Sequence, residues 1–243
     1  MVRLILVALG IIPLTLFYWF LIFMIGRWKP YGNFNNFLMR SWVGFILKAS
    51  GVKVRVENLE VVKENVPALI LGNHQGNYDV AVLANVLPVT VRFLAKKELF
   101  RIPFFGSGMR GAGIIPVDRQ NRTKAIESIE KAQQLIIQHK LGIVAFPEGT
   151  RSADGVIKPF KKGLFILAIK AQIPIIPFSI SGTRFIMRKG QIKIYSGPVK
   201  LVFHEPIPTK GLTLEDRDEL MEKVRQVIIE GYDHSYGDPN NVQ

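Results

Sequence analysis

Cysteine is absent from the 243-residue chain. Its absence excludes disulfide bonds, catalytic thiolates, thiolate-ligated zinc and iron–sulfur clusters. Acidic residues are also scarce, because 19 Asp and Glu stand against 32 Lys and Arg, which gives a formal net charge of +13. Such an excess of positive charge predicts an anionic partner. Composition alone leaves that partner open between lipid headgroups, nucleic acid and phosphorylated substrates.

Two features of the sequence resemble cofactor or metal sites without meeting their requirements. The stretch "GSGMRG" (residues 106–111) matches G-x-G-x-x-G, but Pro103 interrupts the element before it. The segment after it predicts a strand, where a dinucleotide site needs a helix. We therefore interpret residues 105–113 as a Gly-rich loop of close approach. Since the four histidines are not clustered in the sequence, we expect neither a metal nor a resident cofactor.

The first charge-free stretch is long enough to enter a membrane. Residues 4–26 form a run of 23 residues without a charge, and a spanning helix needs about 20. A secretory signal is the competing interpretation, but its apolar core has about 7–15 residues and an A-x-A-like cleavage site follows it. This sequence has no such site. We therefore predict a retained membrane anchor, in which Pro13 can introduce a kink.

A second stretch, residues 34–51, repeats its apolar residues at helical spacing. The two helices could form a hairpin sunk into one leaflet or include a spanning helix, and a buried helical pair is the remaining alternative. Positive residues follow the first segment and place the rest of the chain in the cytoplasm: Arg27, Lys29, Arg40 and Lys48. We expect residues 1–50 to anchor the protein to the cell membrane, with the catalytic part on the cytoplasmic side.

Beyond residue 51 the pattern is that of an α/β domain. Short apolar runs alternate with helical patterns, which predicts a mixed, largely parallel central sheet flanked by helices. The stretches "QIKIYSG" and "KLVFHEPI" predict an antiparallel pair, and Thr213 is the predicted N-cap of the last helix. We assign residues 51–232 to one catalytic domain and residues 233–243 to a polar C-terminal tail.

The stretch "NHQGNYD" contains a histidine and an aspartate five residues apart, His74 and Asp79. On one regular helix such residues do not face each other. They can meet if His74 lies in the turn after the buried strand "ALILGN" and Asp79 in the first turn of the next helix, with Gly76 allowing the turn. A carboxylate on one imidazole nitrogen leaves the other free as a general base for a substrate hydroxyl. The alternative is that Asp79 only caps the helix; the spacing leaves both interpretations open.

A second polar block, "FPEGTRS" (residues 146–152), also follows a buried strand. Ligands of open α/β sheets bind at the carboxyl ends of strands. Arg151 suits a bidentate grip on phosphate, and Gly149 allows close backbone approach. Further charged residues accompany this block: Asp118, Arg119, Lys158, Lys161 and Lys162. One histidine base with several phosphate-suited cations on a membrane anchor predicts a phosphorylated lipid substrate.

With these blocks the chain resembles the lysophosphatidic acid acyltransferases (1-acyl-sn-glycerol-3-phosphate acyltransferases), glycerolipid acyltransferases with an H-x4-D motif. "NHQGNYD", "GIIPVDR", "FPEGTRS" and "IPIIPF" match in order, and "KKELFRIPFFG" resembles the K-x-E-L-x-x-x-P-x-x-G segment of that branch. The resemblance implies transfer of a fatty acyl group from acyl-CoA or acyl carrier protein to the sn-2 hydroxyl of 1-acyl-glycerol-3-phosphate. The product would be phosphatidic acid, formed without an acyl-enzyme.

The resemblance also implies roles for particular residues. His74 corresponds to the general base and Asp79 to its orienting partner. Other matched positions correspond to residues that hold the glycerol-phosphate or contact its phosphate: Lys97, Arg119, Glu148, Gly149, Thr150 and Arg151. The chain departs from the pattern at Gly76, where many relatives have serine. The implied partners are membrane lipids, lysophosphatidic acid and an acyl-CoA or acyl carrier protein donor, with no nucleic acid.

Two other functions are compatible with parts of the sequence. A related glycerolipid acyltransferase could use glycerol-3-phosphate or another lysolipid as acceptor. A non-catalytic basic protein could bind membranes or nucleic acid, but the sequence has no aromatic-basic recognition motif, and its cations cluster near the ends of apolar strands.

Overall fold

The computed structural model describes residues 2–118, 122–187, 190 and 193–240. The strands are β1 (Val52–Glu57), β2 (Leu69–Gly72), β3 (Val91–Lys96), β4 (Ile115–Val117), β5 (Gly142–Ala145), β6 (Ile175–Ser181) and β7 (Gly197–Phe203). The helices are α1 (Val2–Gly26), α2 (Asn33–Ala49), α3 (Glu60–Glu64), α4 (Asp79–Val86), α5 (Phe105–Gly111), α6 (Arg122–His139), α7 (Gly163–Ala171), α8 (Thr183–Ile186) and α9 (Arg217–Gly231). A 3₁₀ turn covers Lys97–Arg101.

The strands form one sheet in the order β1-β7-β6-β2-β5-β3-β4. Neighbouring strands are parallel except β6 and β7, whose antiparallel register pairs Phe178 with Phe203. The prediction of a mixed, largely parallel sheet is confirmed. Because β2, β5, β3 and β4 run in the same direction, their carboxyl ends lie along one edge of the sheet, called here the carboxyl edge.

Helices cover both faces of the sheet, which is why its central strands are apolar throughout. Every residue of β2, β5 and β6 is buried, as expected for parallel strands shielded on both sides. One face packs against α6, α7 and α9 through residues such as Ile136, Phe165 and Val224. The other packs against α2, α3 and α4 through residues such as Leu47 and Leu83. The prediction of flanking helices is therefore confirmed.

The glycine-rich stretch is a helix, α5, and not the loop expected from its composition. Glycines of both helices let α1 lie against α5. A Cβ on Gly26 of α1 would overlap the backbone of Gly111, and one on Gly108 of α5 would come within 2.9 Å of Trp19. Helix propensity disfavours glycine, so contact with α1 outweighs propensity here.

Among the described residues, no helix combines the length and the apolar character that crossing a bilayer requires.

Two further expectations about the C-terminal half are wrong. The predicted antiparallel pair is not formed within the described residues, because residues 193–196 belong to no strand and β7 lies between β1 and β6. The last helix begins at Arg217 with Asp216 at its N-cap. Thr213 lies one turn earlier, where its N–H and hydroxyl donate to Asp216 Oδ2 at 2.7 and 3.1 Å. The carboxylate therefore closes a turn ahead of the helix.

The side chain of Asn73 extends β2 beyond its last residue. Its Nδ2 donates to the carbonyl of Ile180 at 2.9 Å, and its Oδ1 accepts from the N–H of Ile180 at 2.8 Å. These bonds satisfy the β6 backbone as a further strand residue would. The main chain is therefore free to leave the sheet at His74.

We expect Asn73→Ala to lower the free energy of unfolding by roughly 2–4 kcal/mol, because each buried polar group left without a partner costs about 1–3 kcal/mol. Thermal or denaturant unfolding of the detergent-purified protein measures this loss. Asn65→Ala is the matched control, since Asn65 Nδ2 makes one half-buried bond to the Val61 carbonyl at 2.8 Å. Equal losses for both variants would contradict the bridging role of Asn73.

Candidate active site

His74 and Asp79 meet at the carboxyl edge of the sheet. His74 follows β2 by two residues, and Asp79 is the first residue of α4. The distance between His74 Nδ1 and Asp79 Oδ2 is 2.6 Å, and the Asp79 side chain is fully buried. The contact predicted from strand, turn and helix is therefore present.

Asp79 also holds the turn between strand and helix. Its Oδ2 accepts the backbone N–H of Gln75 at 2.7 Å and that of Gly76 at 3.0 Å. The carboxylate thus orders the turn and the imidazole at once. The alternative that Asp79 only caps the helix is wrong, because Tyr78 is the N-cap residue of α4 and no side chain bonds at that cap. With Nδ1 held by a carboxylate, the proton of the neutral ring is on Nδ1, and the lone pair on Nε2 is available to a substrate.

The "FPEGTRS" block supports the histidine from the neighbouring strand. The ring of Phe146 stacks on that of His74 with centroids 3.9 Å apart and planes at 13°. The N–H of Ser152 donates to the His74 carbonyl at 2.8 Å. The His74 side chain keeps 16% of its surface exposed. It is therefore fixed on one side and reachable on the other.

Glu148 joins three segments through its two carboxylate oxygens. Its Oε1 accepts the N–H of His74 at 2.7 Å, and its Oε2 accepts the N–H of Lys158 at 3.0 Å. Burial raises the pKa of Glu148, and these two N–H donors offset part of that rise. The residue was predicted to hold the glycerol-phosphate. Its observed contacts are with the backbone N–H groups of His74 and Lys158.

Other members of the block lie around the exposed side of the turn. Arg151 donates from Nη1 to the Oδ1 of Asn77, three residues beyond His74. Thr150 is exposed, and Gly149 has a φ of +72°. A Cβ on Gly149 would come within 2.9 Å of the Lys161 side chain. Gly149 therefore allows a cationic side chain to lie against the loop.

Lys97 belongs to the same edge, two strands from His74. It directly follows β3, and its Nζ is ion-paired with Oδ2 of the buried Asp118, which follows β4. β3 lies next to β5 in the sheet. The pair is therefore on the side of the sheet where the "FPEGTRS" block emerges. Arg119, the other predicted phosphate contact, lies outside the described residues.

Two contacts of the turn between β2 and α4 come from the C-terminal third of the chain. The hydroxyl of Tyr232 donates to Gln75 Oε1 at 3.3 Å, and burial raises the pKa of Tyr232 to about 12. A Cβ on Gly76 would lie 2.5 Å from the carbonyl oxygen of Thr183 in α8. Neither contact was predicted, because no local pattern links residues so far apart. Phe146, by contrast, belongs to the "FPEGTRS" block. Its position directly after a buried strand could have indicated that its ring lies beside His74.

Comparisons with known proteins agree with this arrangement. A family model described as Acyltransferase matches residues 53–181. A Limnanthes douglasii 1-acyl-sn-glycerol-3-phosphate acyltransferase is 30% identical over 92% of this chain and 79% of its own length. The human 1-acyl-sn-glycerol-3-phosphate acyltransferase alpha is 32% identical over 80% of this chain and 69% of its own. A Caenorhabditis elegans protein provisionally named in the same way, acl-2, is 37% identical over 76% of this chain and 66% of its own.

A solved structure extends the likeness to the fold. The crystal structure of the 1-acyl-sn-glycerophosphate (LPA) acyltransferase PlsC from Thermotoga maritima has a TM-score of 0.71 and 26% sequence identity. The match covers 93% of this chain and 95% of that one. The matched family model includes His74, Asp79 and the "FPEGTRS" block. The chain therefore belongs to the acyltransferase family, among the 1-acyl-sn-glycerol-3-phosphate acyltransferases.

Proposed function

We propose that this protein transfers a fatty acyl group from acyl-CoA or acyl carrier protein to the sn-2 hydroxyl of 1-acyl-glycerol-3-phosphate, which gives phosphatidic acid. The observation that carries the proposal is the 2.6 Å contact between His74 and the buried Asp79. It lies beside a loop that contributes Arg151 at the same edge of the sheet. An acid/base group and a phosphate-suited cation next to each other fit an acceptor that carries both a hydroxyl and a phosphate.

The reaction follows from the chemistry of the imidazole. His74 Nε2 takes the proton of the acceptor hydroxyl as its oxygen attacks the thioester carbonyl carbon. The tetrahedral intermediate collapses with cleavage of the carbon–sulfur bond, and the imidazolium returns the proton to the departing thiolate. The products are an ester and a free thiol, with no acyl-enzyme on the path.

Asp79 orients the ring and stabilises the imidazolium that forms during attack. Because the carboxylate is buried and already bonded to two backbone N–H groups, it need not reorganise when charge develops. General-base assistance of this kind contributes about 10²–10⁴ in rate.

The acceptor phosphate is assigned to the cations of the carboxyl edge. Arg151 is the principal contact, with Lys97 and Arg119 as further contacts, and Gly149 and Thr150 shape the loop around the glycerol. Glu148 supports this site indirectly, because its carboxylate holds the backbone of His74 and Lys158.

Residues 1–50 are proposed to anchor the protein in the cell membrane, with residues 51–232 as the catalytic domain on the cytoplasmic side and residues 233–243 as a tail. The support is the set of large apolar side chains on α1 and α2, which are 40–61% exposed: Ile12, Leu16, Phe17, Phe20, Phe34, Phe37 and Phe45. Surfaces this apolar indicate a lipid or protein interface. The net charge of +13 favours anionic lipid.

The product formed by the purified protein tests the proposed reaction. We expect labelled acyl-CoA and lysophosphatidate in detergent to give labelled phosphatidic acid, identified by chromatography and mass spectrometry. Glycerol-3-phosphate and lysolipids without a free phosphate serve as competing acceptors. A clear preference for any of these would move the protein to the alternative acyltransferase function, and no transfer to any acceptor would contradict acyltransfer.

His74→Ala is expected to abolish turnover, because no base remains to take the hydroxyl proton. Asp79→Asn should lower kcat by about 10²–10⁴ through loss of the oriented tautomer. Steady-state rates and circular dichroism measure activity and folding in parallel.

The control for both variants is His139→Ala, which removes an exposed histidine at the end of α6, before β5 begins. It should retain normal turnover. Near-normal turnover by a folded His74→Ala protein would end the assignment of His74 as the base.

Arg151→Ala should raise KM for lysophosphatidate about tenfold, because a charge-assisted contact to phosphate is lost. The KM for the acyl donor should stay unchanged. The control is Arg225→Ala, which breaks a surface pair with Glu222 on α9. A change confined to donor kinetics would place Arg151 in the donor site.

A further inference from the structure

The segment after Lys97 exposes apolar side chains at the carboxyl edge of the sheet. Residues 99–105, called here the edge loop, run from within the 3₁₀ turn to the first residue of α5. Leu99 is 37% exposed, Ile102 48%, Phe104 65% and Phe105 49%. Four large apolar side chains in seven residues are an unusual use of a surface loop, since isolated exposed apolar residues are the ordinary case.

The tip of the edge loop is held in a strained turn. Phe104 has φ of +59° and ψ of −54°, and the N–H of Phe105 donates to the Pro103 carbonyl at 2.6 Å. This is a γ-turn of the rare, strained kind with positive φ at its centre. Residues kept in such conformations tend to mark functional positions, because the surrounding structure has to enforce them. In this strained turn the ring of Phe104 is exposed.

The N-terminal helix enforces this turn. Trp19 Nε1 on α1 donates to the Phe104 carbonyl at 2.7 Å, and Ser107 Oγ donates to the same oxygen at 2.7 Å. The rings of Trp19 and Phe104 make an edge-to-face contact at 5.3 Å. The edge loop therefore lies beside α1, where Leu16 and Phe20, within one turn of Trp19, are also exposed apolar residues.

Basic residues surround the apolar tip. Arg101 and Arg110 are exposed, and Lys96 lies just before the 3₁₀ turn. Glu98 is an acidic neighbour, and its Oε2 lies 3.7 Å from Lys96 Nζ. An apolar tip with a basic rim matches the interface of an anionic bilayer, where acyl chains lie beneath negative headgroups.

We propose that the edge loop is a third membrane-inserting element, which enters the same anionic leaflet as α1 and α2. The proposal rests on the membrane-bound function proposed above and adds a site outside residues 1–50. Insertion at this point places Lys97 and the carboxyl edge at headgroup level. A lysolipid can then bring its hydroxyl to His74 while its acyl chain stays in the leaflet.

The absence of cysteine allows a direct test with single labels. Ile102→Cys labels the edge loop, Phe17→Cys labels α1, and Ile137→Cys labels an isoleucine on α6 that is 60% exposed, against 48% for Ile102. Each full-length variant carries an environment-sensitive fluorophore and is mixed with phosphatidylcholine–phosphatidylglycerol vesicles with or without spin-labelled lipid. We expect a blue shift and quenching at positions 17 and 102, with neither at 137.

Quenching at position 17 without quenching at 102 would overturn the proposal and leave the two-helix anchor intact. The absence of quenching at both positions would overturn both the insertion of the edge loop and the membrane anchoring by α1 and α2. A response at 102 to soluble acyl carrier protein, but not to vesicles, would assign the patch to a protein partner and overturn insertion.

Activity of Phe104→Gly gives an independent readout, because glycine accepts the positive φ while the ring is lost. We expect about tenfold slower acylation of lysophosphatidate presented in anionic vesicles. The rate on a short-chain lysophosphatidate dissolved as monomers should be unchanged. Ile137→Ser, the control, should alter neither rate.

Unchanged rates of Phe104→Gly on vesicles, or equal losses on both acceptors, would overturn the proposal. Failure of the proposed reaction gives a different result. In that case the unmodified protein is inactive on both forms of lysophosphatidate, and the quenching at position 102 still decides the role of the loop.

Discussion

The site depends on one buried oxygen atom, Oδ2 of Asp79. It accepts from His74 Nδ1, Gln75 N–H and Gly76 N–H at 2.6–3.0 Å. Ring orientation, turn conformation and the start of α4 are thereby set by the same carboxylate. Because Asp79 is also the first residue of the helix, α4 cannot shift without moving the imidazole. An imidazole held in this way has its orientation established before any substrate binds.

The parallel sheet explains why His74 and the cationic side chain of Arg151 are neighbours. β2 and β5 are adjacent and run in the same direction, so the segments that follow them emerge side by side. Glu148 and Ser152 then bond to the N–H and carbonyl of His74. The two segments are thus joined through the backbone as well as through the stacked rings of His74 and Phe146. His74 and the loop that carries Arg151 therefore form one unit.

The sequence predicts those parts of the site whose contacts lie close along the chain. The His74–Asp79 contact spans five residues, and a buried strand with a following glycine is enough to predict it. Tyr232 reaches Gln75 across 157 residues, which leaves no local pattern. The glycine-rich α5 is helical through packing against α1, which opposes the propensity that suggested a loop. Apolar periodicity predicts the type of sheet, but it does not predict that β7 lies between β1 and β6.

The close approach of Gly76 to Thr183 has an evolutionary consequence. A β-carbon at position 76 would be 2.5 Å from a main-chain oxygen, and a backbone atom cannot swing aside as a flexible side chain can. A serine at position 76 of this chain would force the segment after the sixth strand away from the turn. The turn after β2 and the segment after β6 are therefore expected to change together. A chimaera that exchanges one of them alone would carry a clash or a void next to His74.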